Sequence, residues 1–132
     1  MQITMSPIGY FYTDETEIPR HWTISDEKGR IVIDPQYVEG LKHIRAGQEI
    51  VVIFYFHKSG PFTKELLMQT PPHKGQKTGV FSTCSPRRPN PVGLSVLSVT
   101  GVSGNVIDVS RIDMVDGTPI LDIKPHVTPP RS

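Results

Sequence analysis

The sequence predicts an all-β fold of about seven short strands, a barrel or a sandwich, with one short helical segment. Three observations carry this expectation. The apolar runs are short and rich in β-branched residues, no helical crossover separates them, and 13 prolines are spread along the chain. Proline interrupts helices and central strands alike, so many short elements joined by fixed turns should result. A length of 132 residues suits one domain, 1–132, around one core.

The elements follow in order. Ile3–Tyr12 mixes β-branched and aromatic residues and reads as a first strand. Asp14–Arg20 is polar and reads as a loop. Trp22–Ser25 and Arg30–Ile33 read as short strands flanking a turn at Asp26–Gly29. Pro35–Ile44 spaces Val38, Leu41 and Ile44 by threes, which predicts the helical segment. Ile50–Phe56 is continuously apolar and is expected to be a strand buried on both faces. Gly60–Thr78 is rich in Pro, Lys and Thr, with Leu66, Leu67 and Met68 as its apolar anchor. Val92–Thr100 and Asn105–Ile112 are strands separated by Gly101–Gly104. A last strand holds Leu121 and Ile123 and stops at Pro125, beyond which the tail from His126 cannot extend a sheet.

Composition narrows the function classes. A formal charge of +1 argues against a protein that coats nucleic acid electrostatically, although a local basic cluster remains compatible with it. One cysteine, Cys84, cannot close an internal disulfide, which favours a reducing compartment. The N-terminal residues do not read as a signal peptide, and Ile50–Phe56 is too short to cross a bilayer. The expectation is a soluble, cytoplasmic protein with no membrane association. The five histidines show no metal-ligand spacing, one cysteine cannot build a zinc site, and no Gly-rich phosphate loop is present, so no metal is expected.

Three constellations could carry chemistry. In Gly79–Ser95, GVFSTCSPRRPNPVGLS, Pro86, Pro89 and Pro91 restrict the backbone and so lower the entropy lost on binding. Arg87, Arg88 and Asn90 offer hydrogen bonds, and paired guanidinium forks suit phosphate or carboxylate. A surface turn with solvated arginines is the competing reading. Gly93 would admit a close approach by another backbone or a ligand. In the second constellation, Asp116-Gly117 marks a tight turn, whereas Asp113 lies among apolar neighbours and must be hydrogen-bonded, paired or functional. The third is His57-Lys58, where a strand end could present a titrating side chain to a pocket or simply pack it. Cys84 has no base beside it in sequence and reads as a small buried or pocket-lining residue.

GVFSTCSPRRPNPVGLS followed by DMVDGTPILDIKPH resembles the TsaA-like family, known also as YaeB or TrmO. FYFHKS and IPRHW fit the same family in the same order, so the resemblance runs from Ile8 to Val127. It implies a homodimeric β-barrel methyltransferase that uses S-adenosyl-L-methionine to methylate N6 of threonylcarbamoyladenosine beside the anticodon of certain tRNAs. By matching motif, the methyl-donor pocket would comprise His21, Trp22, His57, Lys58, Cys84, Leu94, Arg111, Ile112 and Asp113. Asp113 or His57 would take the acceptor's proton, and Arg87, Arg88, Asn90, Lys74 and Lys77 would contact the tRNA. Two departures stand out. The family commonly has Arg where Cys84 stands, and Gln-Pro-Gly where this chain reads His21-Trp22-Thr23. Longer members also carry a C-terminal extension that this sequence does not show. Two alternatives stay open: a non-catalytic dimer that binds S-adenosyl-L-methionine or a nucleoside, and a methyltransferase for another RNA or a small molecule.

Overall fold

The computed structural model describes residues 1–72 and 75–130. Eight strands form among the described residues: β1 Gly9–Tyr12, β2 Lys28–Ile33, β3 Glu49–Tyr55, β4 Met68–Gln69, β5 Thr78–Gly79, β6 Val92–Ser103, β7 Val106–Ser110 and β8 Pro119–Pro125. Six close an antiparallel barrel in the order β1-β2-β7-β6-β3-β8, with β8 returning to β1 through Gly9↔Ile120. β4 and β5 form a separate two-stranded ribbon. Among the described residues, no helix is long and apolar enough to cross a membrane.

Strand alternation builds the core. Phe11, Ile31, Ile33, Val52, Leu97, Ile107, Val109 and Ile120 point inward and are buried together. Each such side chain contributes about 1.5–3 kcal/mol on burial. Gly29 lies against the Phe11 ring, where a Cβ would collide with the ring and with the Tyr12 carbonyl. β6 serves two neighbours, pairing with β3 from Val92 to Ser98 and with β7 from Ser98 to Ser103. The register slips between Val99 and Gly101, and such a bulge bends a strand so that it can turn the barrel wall.

Several expectations are corrected. Trp22–Ser25 is not a strand: Trp22–Ile24 is a 3-10 turn capped by the His21 side chain, and the Trp22 and Ser25 polar groups bond to Asp113 and Ile112. Tertiary partners there replace a sheet neighbour. The first strand begins at Gly9, leaving residues 3–7 outside the sheet, and Lys28-Gly29 belong to β2 and not to a turn. Pro35–Leu41 is a 3-10 helix opened by an Asp34 side-chain cap. β3 is not buried on both faces. Ile50, Val52 and Phe54 are buried while Val51 and Ile53 are partly exposed, because a barrel wall has only one interior side. Leu67 and Met68 are exposed and so anchor nothing.

Candidate functional site

One mouth of the barrel carries a cavity of about 690 Å³, a size suited to a small ligand. Five pieces of chain make its wall, one of them the loop that carries Thr83, Cys84, Pro86 and Arg88. β3 ends at Tyr55 and delivers Phe56, His57 and Lys58; β6 begins beside it through the pairing Tyr55↔Val92 and supplies Gly93 and Leu94. The segment leading into the Trp22–Ile24 turn adds Ile18, His21 and Trp22, and the connection between β7 and β8 adds Asp113 and Thr118. Its apolar lining includes Trp22, Phe54, Phe56 and Leu94. Gly93 is required under those rings: a Cβ there would lie 2.5 Å from Phe54 Cζ and 2.7 Å from Phe56 Cζ. Its close approach is therefore to aromatic side chains.

Asp113 is held in the wall by two hydrogen bonds. One carboxylate oxygen accepts from the Ser95 hydroxyl at 2.5 Å, and the other accepts from the Trp22 backbone N–H at 3.0 Å. Burial pushes its pKa above the usual carboxylate range, against the opposing pull of the Ser95 hydrogen bond and the nearby His21. His57 moves the other way. Desolvation, assisted by the Lys58 charge, lowers its pKa, so the imidazole is neutral at neutral pH.

His21 caps its own turn. Its Nδ1 accepts from Thr23 N–H at 3.4 Å and lies 2.8 Å from the Thr23 hydroxyl. With Nδ1 accepting, the neutral ring carries its proton on Nε2, which lies 4.0 Å from Cys84 Sγ. Cys84 is an exposed free thiol. The Trp22 ring is flanked by His21, with centroids 5.3 Å apart, and by the Arg111 guanidinium at 5.4 Å.

The structure thus brings His21, Trp22, His57, Lys58, Cys84, Leu94 and Asp113 to one cavity, with Arg88 at its edge. Arg111 and Ile112 do not line it. Arg111 adopts a left-handed backbone (φ 68°), pairs with Glu49 at 3.3 Å and props Trp22 from behind. Ile112 is fully buried, and its carbonyl accepts from the Ser25 hydroxyl. Through these contacts both pack against or bond to residues next to the wall, at a point where the chain turns sharply. Arg88 is turned inward on its own loop, donating to the Thr83 carbonyl at 2.9 Å and the Ser85 carbonyl at 3.1 Å. Arg87, Asn90 and Lys77 are exposed and do not line the cavity, and Lys74 lies outside the described residues.

Sequence reasoning missed Ser95, Phe54 and Phe56. The two phenylalanines are two apart and so share a strand face, and Ser95 is the buried hydroxyl in an otherwise apolar stretch of β6. Those are the signals that could have found them.

The family model described as the tRNA-methyltransferase O N-terminal domain matches residues 8–129. A probable S-adenosyl-L-methionine-binding protein of Pyrococcus abyssi is 36% identical over 131 residues, covering 96% of this chain and 70% of that protein. A mouse tRNA (adenine(37)-N6)-methyltransferase is 37% identical over 129 residues, 92% of this chain but 30% of the mouse protein. The crystal structure of TrmO from Pseudomonas aeruginosa superposes with a TM-score of 0.76 at 32% identity, covering 96% of this chain and 57% of that one. The chain therefore spans only part of these relatives. With the match running almost from end to end and the barrel shared with a solved relative, this chain belongs to the tRNA-methyltransferase O N-terminal domain family.

Proposed function

We propose that this chain is a cytoplasmic, homodimeric methyltransferase that uses S-adenosyl-L-methionine to methylate N6 of threonylcarbamoyladenosine next to the tRNA anticodon. The observation that carries the reading is the cavity in which the family-motif segments meet around the Asp113 carboxylate. The donor set fits the cofactor. S-adenosyl-L-methionine bears two positive centres and one carboxylate; the cavity lining offers Asp113 to the first and Lys58 and Arg88 to the second, together with aromatic rings. When bound, the cofactor supplies an electrophilic methyl group.

The chain's own residues have separable tasks in this reading. Asp113 is held by two donors and is suited to orienting a cationic ligand. His57, neutral and at the cavity wall, is the better-placed group to receive the acceptor's proton. Trp22, Phe54 and Phe56 exclude water and fix the adenine plane. Leu94, 53% exposed at the cavity, is an apolar surface that a second copy would cover.

A binding protein without catalysis is the second reading. It is favoured by Cys84, whose thiol faces His21 where the family resemblance expects a cationic side chain. Incubation with labelled methyl donor and total tRNA, followed by digestion, separates the two. An N6-methylated threonylcarbamoyladenosine is expected. Donor binding without transfer selects the second reading, and no donor binding overturns both.

A further inference from the structure

The near-zero charge of the chain conceals a separation. Residues 58–90 carry six lysines and arginines against one acid, a net +5, while the remaining residues carry eight against twelve, a net −4. This basic segment contains the β4–β5 ribbon and one edge of the cavity. Within it Phe81 is 76% exposed, although Val80 beside it and Thr83 two residues on are fastened. Val80 is buried, the Thr83 hydroxyl donates back to the Val80 carbonyl at 2.8 Å, and Arg88 holds the Thr83 carbonyl. The Phe81 turn thus sits two residues from the cavity-lining Thr83 on a backbone that cannot easily move.

A single exposed apolar side chain is ordinary and carries no meaning alone. A rigidly presented aromatic ring inside the one cationic stretch of the chain has a specific use. Unpaired nucleobases stack on such rings while lysine and arginine take the phosphates. We infer that Phe81 is a base-stacking residue that receives an unpaired nucleotide neighbouring the one in the cavity. This inference rests on the tRNA reading above and adds the residue that grips the flanking base. Electrostatics favours polyanionic RNA over the same segment of a second copy as the occupant, because two segments of like net charge repel.

The test uses the full chain, a fluorescent anticodon stem-loop RNA and heparin, a polyanion without bases. Phe81→Ala is expected to weaken RNA binding about 5- to 100-fold. Phe81→Trp should restore it, while heparin binding, calorimetric affinity for S-adenosyl-L-methionine and molar mass in solution stay unchanged. Unaltered RNA affinity in Phe81→Ala, with wild type still binding RNA, overturns the inference alone. A fall in molar mass accompanying the loss assigns the ring to an interface between copies and also overturns it. Failure of wild type to bind the RNA overturns both this inference and the tRNA reading.

Discussion

The Ser95 hydroxyl, fully buried on β6, donates at 2.5 Å to the Asp113 carboxylate on the connection between β7 and β8. This bond ties two of the cavity's five pieces together and supplies one of the two donors that offset the burial of the charge. Ser95→Ala should therefore cost about 1.5–3 kcal/mol of stability at neutral pH. The loss should shrink on acidification, because a protonated Asp113 no longer needs the donor. Denaturant titration at neutral and mildly acid pH measures both values, and a pH-independent loss would contradict the assignment.

Asp113→Asn mimics the protonated carboxyl. Burial raises the folded-state pKa of Asp113, so its contribution to stability is present below the unfolded value and is lost as pH rises through the raised folded value. Stability of the variant should accordingly be flatter with pH than that of the wild type across this window. Affinity for S-adenosyl-L-methionine should fall by about tenfold or more, since a buried charge-assisted contact is removed. Calorimetry that shows equal donor affinity would remove Asp113 from the site.

His57 has the opposite sign. Its folded-state pKa is lowered, so its contribution is present above the unfolded value and is lost as pH falls through the lower folded value. The methyl-transfer rate should show an acid limb with a midpoint below about 6.5. His57→Gln should abolish that limb and slow transfer by about 10²–10⁴-fold. A limb that persists in the variant assigns the proton to another group.

Arg88 spends its hydrogen bonds on the Thr83 and Ser85 carbonyls, which gives it a structural share that a solvated arginine would lack. Arg88→Ala should lower stability by about 1–2 kcal/mol and speed proteolysis within residues 83–90. Arg88→Lys should restore less than half of the loss, because an ammonium lacks the planar fork. Unchanged stability in Arg88→Ala would show that the clamp is dispensable.

Gly93→Ala places a methyl group against the rings of Phe54 and Phe56. Overpacking of this kind costs about 1–3 kcal/mol, and here the displaced rings also belong to the cavity wall. Stability and donor affinity should fall together, as read by denaturation and calorimetry on one preparation. A loss of stability with donor affinity intact would show that the rings do not touch the ligand.

The legible parts of the fold were those with local signatures. β3 and β6 announced themselves as β-branched runs, and Asp116-Gly117 as a tight turn, with Gly117 at φ 84°. Trp22–Ser25 misled because aromatic and β-branched composition favours a strand, while the deciding contacts come from residues about ninety positions away. The site was readable as motif segments. Arg111 and Ile112 could not be separated from Asp113 by motif alone, since only the left-handed turn at Arg111 sends neighbouring side chains in different directions.

By itself the sequence determined that this is an all-β chain of mostly short strands and which segments bear the motifs, because two-residue alternation, proline and glycine act within a few positions. The tertiary structure alone decided which side chains share the cavity. It set the Ser95–Asp113 bond, the inward turn of Arg88 and the opposite pKa shifts of Asp113 and His57. These depend on strand register, barrel closure and the exclusion of water, none of which a local window of residues contains.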